Sequence, residues 1–214
     1  TPDPSDRPYA GFLYGTAGLT TVTKNHQDDL TATLGVIGPL SGAELVQKEV
    51  HGLINADDPK GWDNQLENEP GVILSWRRMW PGYGFDGFDG LYIKTQPHIG
   101  VTLGNVYTHS SIGGTIQITP SRYKWQSQPL RVQPAVPGDG FFSVPENRFA
   151  WSAFLSLDGR AVGRNIFLDG NSFEESASVD KKPLVADVSG GLSLTYGRVQ
   201  LSYTLNWRSA EFDG

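Results

Sequence analysis

Few residues of this chain could carry acid–base or nucleophilic chemistry. It has four histidines and no cysteine. Without a thiol, cysteine nucleophiles, thiolate zinc sites and disulfide frameworks are excluded. No G-x-S-x-G elbow, H-E-x-x-H pair or phosphate loop occurs. His26, His98 and His109 fall in a turn, a strand and a strand edge, and read as structural. Ser110, Ser111 and Ser189 belong to no triad order. His51 differs, because Asp57 and Asp58 follow it by six and seven residues. A carboxylate on one ring nitrogen would fix the tautomer and leave the other nitrogen to take a proton from water. The same spacing also suits a surface histidine before a solvated turn, and the residues alone leave both readings open. The acidic run Asp57, Asp58, Asp63, Glu67 and Glu69 offers the hard oxygens that Ca²⁺ takes, but without EF-hand spacing. A plain exposed loop fits it as well.

A short amphipathic helix over 42–54 must position His51. Ser41-Gly42-Ala43-Glu44 fits a capping box, in which Ser41 caps the first amides and Glu44 reaches back. Leu45, Val46, Val50, Leu53 and Ile54 recur at helical spacing, and Asp57, Asp58 and Pro59 end the pattern. His51 sits near the C-terminal end of this helix, where the macrodipole favours positive charge. Helix and following loop interrupt a chain otherwise dominated by period-2 alternation. In 199–208, Val199, Leu201, Tyr203, Leu205 and Trp207 alternate with Gln200, Ser202, Thr204, Asn206 and Arg208. The segments 9–19, 30–36, 72–76, 91–103, 112–118, 149–157 and 184–196 repeat the pattern, giving eight strands. Of the connections, 81–90 is a glycine-aromatic turn, 121–147 is long and proline-rich, and 169–183 is acidic, then basic, and expected to be solvated.

One domain over 1–214 fits the length. The net charge of −6 opposes a nucleic-acid binder. No apolar run is long enough for a transmembrane helix, which leaves a β-barrel open. Strands of ten or more residues, connections that alternate in length, and aromatics near strand ends (Trp76, Trp80, Tyr107, Trp151, Tyr196, Trp207) favour a membrane barrel. A soluble β domain, such as a carbohydrate-binding module, also alternates and stays open.

Several segments, in order, resemble the LpxR-type lipid A 3'-O-deacylases. They are Asp6-Arg7-Pro8-Tyr9-Ala10-Gly11, Gly35-Val36-Ile37-Gly38-Pro39, Val46-Gln47, His51, Gly61-Trp62-Asp63-Asn64-Gln65-Leu66 and Gly104-Asn105-Val106-Tyr107. The resemblance runs from Asp6 to Phe212. It implies an all-β, antiparallel transmembrane barrel of the Gram-negative outer membrane, twelve-stranded in the family, with eight strands in this chain. It implies calcium-dependent hydrolysis of the ester holding the 3'-linked acyloxyacyl group of lipid A, with lipopolysaccharide as substrate and a monomeric protein. His51 matches the family's general base. Asp57 stands where the family has a supporting glutamate, and Asp58 is the next candidate. The family's Asn-Asp pair, hydroxyl residue and lysine lie on strands before the Asp-Arg-Pro-Tyr motif, so no metal ligand is assigned. The expectation is a chain lacking the N-terminal strands and the last one. Arg77, Arg78 and Lys94 are basic groups that an anionic lipid could use, but their strands lead to a short turn on the periplasmic side, and no role is assigned to them. A non-catalytic barrel on the same scaffold is the alternative.

Overall fold

The computed structural model describes residues 6–57, 60–87, 89–120, 144 and 148–213. Eight long strands follow one another as antiparallel neighbours: β1 (Phe12–Val22), β2 (Gln27–Ile37), β3 (Glu69–Met79), β5 (Tyr92–Gly104), β6 (Tyr107–Thr119), β7 (Phe149–Asn165), β8 (Leu184–Tyr196) and β9 (Val199–Arg208). A ninth, β4 (Gly84–Asp86), pairs only with β5 and lies inside the segment read as a turn. The eight long strands match the eight expected. Each has 10 to 17 residues, and about 9–11 tilted residues suffice to cross a bilayer. The result is a curved, open sheet, a half-barrel, in which β1 and β9 do not pair with each other among the described residues.

The two faces of this sheet settle its solvent. On β5 the inner residues Lys94, Gln96, His98 and Thr102 are each 3% exposed or less. On β9 the outer residues Val199, Leu201, Tyr203, Leu205 and Trp207 are all more than 60% exposed. Leu155, Leu157, Ile112, Ile116, Leu192 and Leu194 continue this apolar outer belt across β6, β7 and β8. Polar residues inside and apolar residues outside invert a water-soluble sandwich. An apolar surface this extensive is stable only against hydrocarbon. The soluble β domain is therefore set aside.

The inner face satisfies itself strand to strand. Thr16 and Thr33, Ser75 and Thr102, and Ser193 and Ser202 share hydroxyl hydrogen bonds of 2.7, 3.0 and 2.7 Å. Arg77 donates to Asp29 at 2.6 Å, and Arg160 pairs with Asp187 at 2.8 Å. His98 on β5 reaches Asp158 on β7, Nε2 to Oδ1 at 2.5 Å, across the intervening β6. Gly113 stands between them in register, and a Cβ there would lie 2.8 Å from Asp158 Oδ1. The missing side chain opens the path for this bridge.

The longer structured connections gather at one end, here the helical end. Helix α1 (Ala43–Ile54) and the single turn α2 (Ile166–Asp169) both lie there. The connections do not alternate strictly in length, since the β5–β6 turn at this end is only residues 105–106. Below the loops sits an apolar cluster of Ile37, Leu66, Ile73, Val106, Tyr107 and Ile166, with Ala10, Phe12 and Phe167 packed against it. Tyr107 is thus buried rather than part of an outer girdle; Phe149, Trp151 and Tyr196 occupy that position at the opposite end. The connection 169–183 is largely exposed, as expected, with Phe173 76% exposed. It is tied down by Lys181, which pairs with Asp169 at 2.5 Å, and Ile166 and Leu168 just before it are buried. Residues 121–143 and 145–147 of the proline-rich connection lie outside the described residues.

Candidate active site

Helix α1 forms as expected, but its ends are made differently. Ser41 closes a 3-10 turn (Pro39–Ser41), and Gly42, in the left-handed region at φ 69°, becomes the N-cap with no side-chain cap. Glu44 pairs with Lys48 at 2.5 Å instead of reaching back. No capping box exists, because Ser41, which the motif needs as an extended N-cap, is in the 3-10 turn, and Gly42, which would be the first helical residue, is left-handed. At the other end Asn55 (φ 52°) is the C-cap, two residues before Asp57. The amides of Asn55 and Ala56 both donate to the His51 carbonyl. That left-handed reversal folds 55–57 back along the helix.

The reversal orients His51. Its Nδ1 lies 2.6 Å from the backbone carbonyl oxygen of Asp57. A carbonyl only accepts, so Nδ1 is the donor, and in the neutral ring Nε2 is the nitrogen that holds the lone pair. Asp57 is therefore beside His51, as its spacing suggested, but through its main chain rather than its carboxylate. Asp58 lies outside the described residues.

A groove of about 720 Å³ runs between α1 and the chain leading into β1. Tyr9, Leu13, Val46, Val50 and Trp62 give it apolar walls, and Arg7, Gln47 and His51 supply its polar groups. Leu13 also belongs to the outer face of β1 and is 60% exposed, so the groove opens onto the lipid-facing belt. Gln47 and His51 are one helical turn apart and share a face. Trp62 Nε1 donates to Gln47 Oε1 at 2.9 Å, which leaves the Gln47 amide nitrogen as the donor end. Trp62 meets the Tyr9 ring edge-on at 5.3 Å, and Leu66 N donates to the Tyr9 carbonyl. These contacts require Gly61, where a Cβ would lie 2.3 Å from the Tyr9 ring. Gly61→Val is expected to displace Tyr9, cost about 1–3 kcal/mol as overpacking does, and erase the near-ultraviolet circular-dichroism signal of the Tyr9–Trp62 pair.

Sequence reasoning missed the braces under the groove. Glu69 is buried, and its carboxylate accepts from Asn105 Nδ2 at 2.7 Å, Ser172 N at 2.7 Å and Asn171 Nδ2 at 3.2 Å. Arg164 donates to the carbonyls of Asn105 and Gly170 and to Ser172 Oγ. Alternation from Ile73 through Gly71 would have placed Glu69 on the inner face. Its three partners come from distant loops, which no local pattern joins. The acidic run does not converge: no group of three or more His, Asp or Glu that could hold a metal ion occurs among the described residues. Arg77 and Arg78 are committed to Asp29 and Asp28 at the end away from the helix.

Residues 1–214 match the family model described as outer membrane protein LpxR. The chain belongs to the LpxR family. It is an outer-membrane protein, and the polar inner face and apolar outer face of its sheet suit that location. Among solved structures it is similar to LpxR from Salmonella typhimurium, with a TM-score of 0.84 and 23% identity over 98% of this chain and 70% of that one. At that identity the likeness speaks for the fold. No curated protein matches. The segments that carry the LpxR resemblance prove to be neighbours in space: Tyr9, Val46, Gln47, His51 and Trp62 line the groove, while Ile37, Leu66, Val106 and Tyr107 belong to the apolar cluster beneath it.

Proposed function

We propose that this LpxR-family protein hydrolyses the 3'-linked acyloxyacyl ester of lipid A in the outer membrane. The observation that carries the reading is a histidine of fixed tautomer on the wall of an apolar groove that opens to the lipid-facing belt. Such a groove accepts an acyl chain sideways from the leaflet, and its polar rim meets the ester. His51 Nε2 takes a proton from water as the water oxygen bonds to the acyl carbonyl carbon. The Gln47 amide donates to the developing oxyanion. The carbon–oxygen bond to the sugar then breaks. The leaving 3'-oxygen takes the proton from His51, giving a free fatty acid and a sugar hydroxyl. Direct attack by water suits a groove in which no activated serine stands.

Calcium dependence belongs to the same proposal and rests on the family resemblance. The described carboxylates do not form a cation site, so no step is assigned to the ion. Mass spectrometry of lipid A incubated with the detergent-folded protein tests both parts. Loss of the 3'-acyloxyacyl mass with Ca²⁺, and none with EDTA, is expected. Equal loss in EDTA would remove calcium from the account. Unchanged lipid A together with conductance in planar bilayers would establish a non-catalytic pore instead.

A further inference from the structure

Among the described residues, Arg7 is the only lysine or arginine that lines the groove. Its guanidinium makes one hydrogen bond among the described residues, Nη2 to Glu211 Oε2 at 2.8 Å, and its carbon lies 5.7 Å from the Phe212 ring centroid. A guanidinium has five donors, and the Arg7 side chain remains 44% exposed. Glu211 is itself buried and lies 3.8 Å from Arg160 and 3.7 Å from Arg208, while both arginines also pair with Asp187. Three guanidinium groups therefore face two carboxylates, and the surplus positive charge is at the residue open to the groove. Of the other cations of this end, Lys48 pairs with Glu44, Lys181 with Asp169, Lys182 with Asp213 and Arg164 with loop oxygens, while Lys60 is exposed and does not line the groove.

We propose that Arg7 is the anion-recognising residue of the groove, pairing its free edge with a phosphate monoester on the sugar head group of the lipid whose acyl chain enters beside it. This rests on the lipid A reading of the groove. Glu211 and Phe212 hold the guanidinium from behind. The planar fork then meets phosphate in two places, as arginine does and lysine does not.

Binding to mixed micelles, measured by titration calorimetry, tests this separately from turnover. Wild-type protein should bind bisphosphorylated lipid A about tenfold more tightly than phosphate-free lipid A. Arg7→Gln should abolish that preference, and Arg7→Lys should keep a few-fold of it. Glu211→Gln separates recognition from architecture, because it breaks the tie yet leaves the Arg7 charge; the preference should persist. Equal affinity of the wild type for both lipids overturns the proposal, as does loss of the preference in Glu211→Gln to the same degree as in Arg7→Gln. Inorganic phosphate that weakened binding of the phosphate-free lipid would also overturn it, showing a site for free phosphate rather than a head group. A preference for phosphate in a protein that releases no fatty acid would leave Arg7 in its role and refute the deacylase reading alone.

Discussion

His51→Ala should lower the turnover of lipid A by a factor of about 10²–10⁴, the range a positioned general base supplies. The β circular-dichroism spectrum should not change. His51 projects from a helix that contributes no buried residue, and the Asn55 cap that ends the helix uses the backbone of position 51, which alanine retains. Asp57→Ala makes the comparison informative. The imidazole is held by the Asp57 carbonyl, which every residue type provides, so this variant should lose less than about tenfold, well below the loss from removing the base. Equal losses in the two variants would show that the carboxylate, not the carbonyl, orients the ring. Full activity in a folded His51→Ala protein would remove His51 from the chemistry.

Leu157→Arg should destabilise the folded protein in lipid vesicles by about 2–4 kcal/mol, read from denaturant unfolding of the vesicle-inserted protein. Leu157 is 60% exposed, lies near the middle of β7, and faces outward between Leu155 and Gly159. In a water-soluble sheet an exposed leucine could become arginine at almost no cost, commonly within about 0.5 kcal/mol. The sign and size of this one change therefore report the solvent of the outer face. Unchanged stability would mean that the belt of Leu155, Leu157 and their neighbours does not contact hydrocarbon.

The strands were legible because alternation is a local signal with a fixed period. Val199 to Arg208 shows it without interruption, and the strand follows it from end to end. Which face meets which solvent was not legible, since period 2 is the same in a sandwich and in a membrane barrel. That needed the burial of Lys94, Gln96 and His98 beside the exposure of Leu201 and Trp207. The helix was found from its apolar spacing, but its caps were misread: Ser41 and Glu44 fit a capping box by type, whereas the backbone turns at Gly42. Spacing placed Asp57 next to His51 correctly and could not say which of its oxygens would arrive. The Glu69 brace and the Arg7–Glu211 tie join residues far apart in the chain, the latter by 204 positions. Contacts of that range follow from sheet curvature, which no window of sequence contains.

The central claim, that the groove between α1 and the chain entering β1 seats the acyl chain of lipid A, is open to photo-crosslinking. Lipid A carrying a diazirine on the 3'-linked acyl chain would be bound to the His51→Ala protein, irradiated, and the labelled peptides sequenced. Labelling concentrated on Leu13, Val46 and Val50, suppressed by unmodified lipid A, is the predicted result. Labelling spread over the outer belt of β6 to β8, with none in the groove, would contradict it.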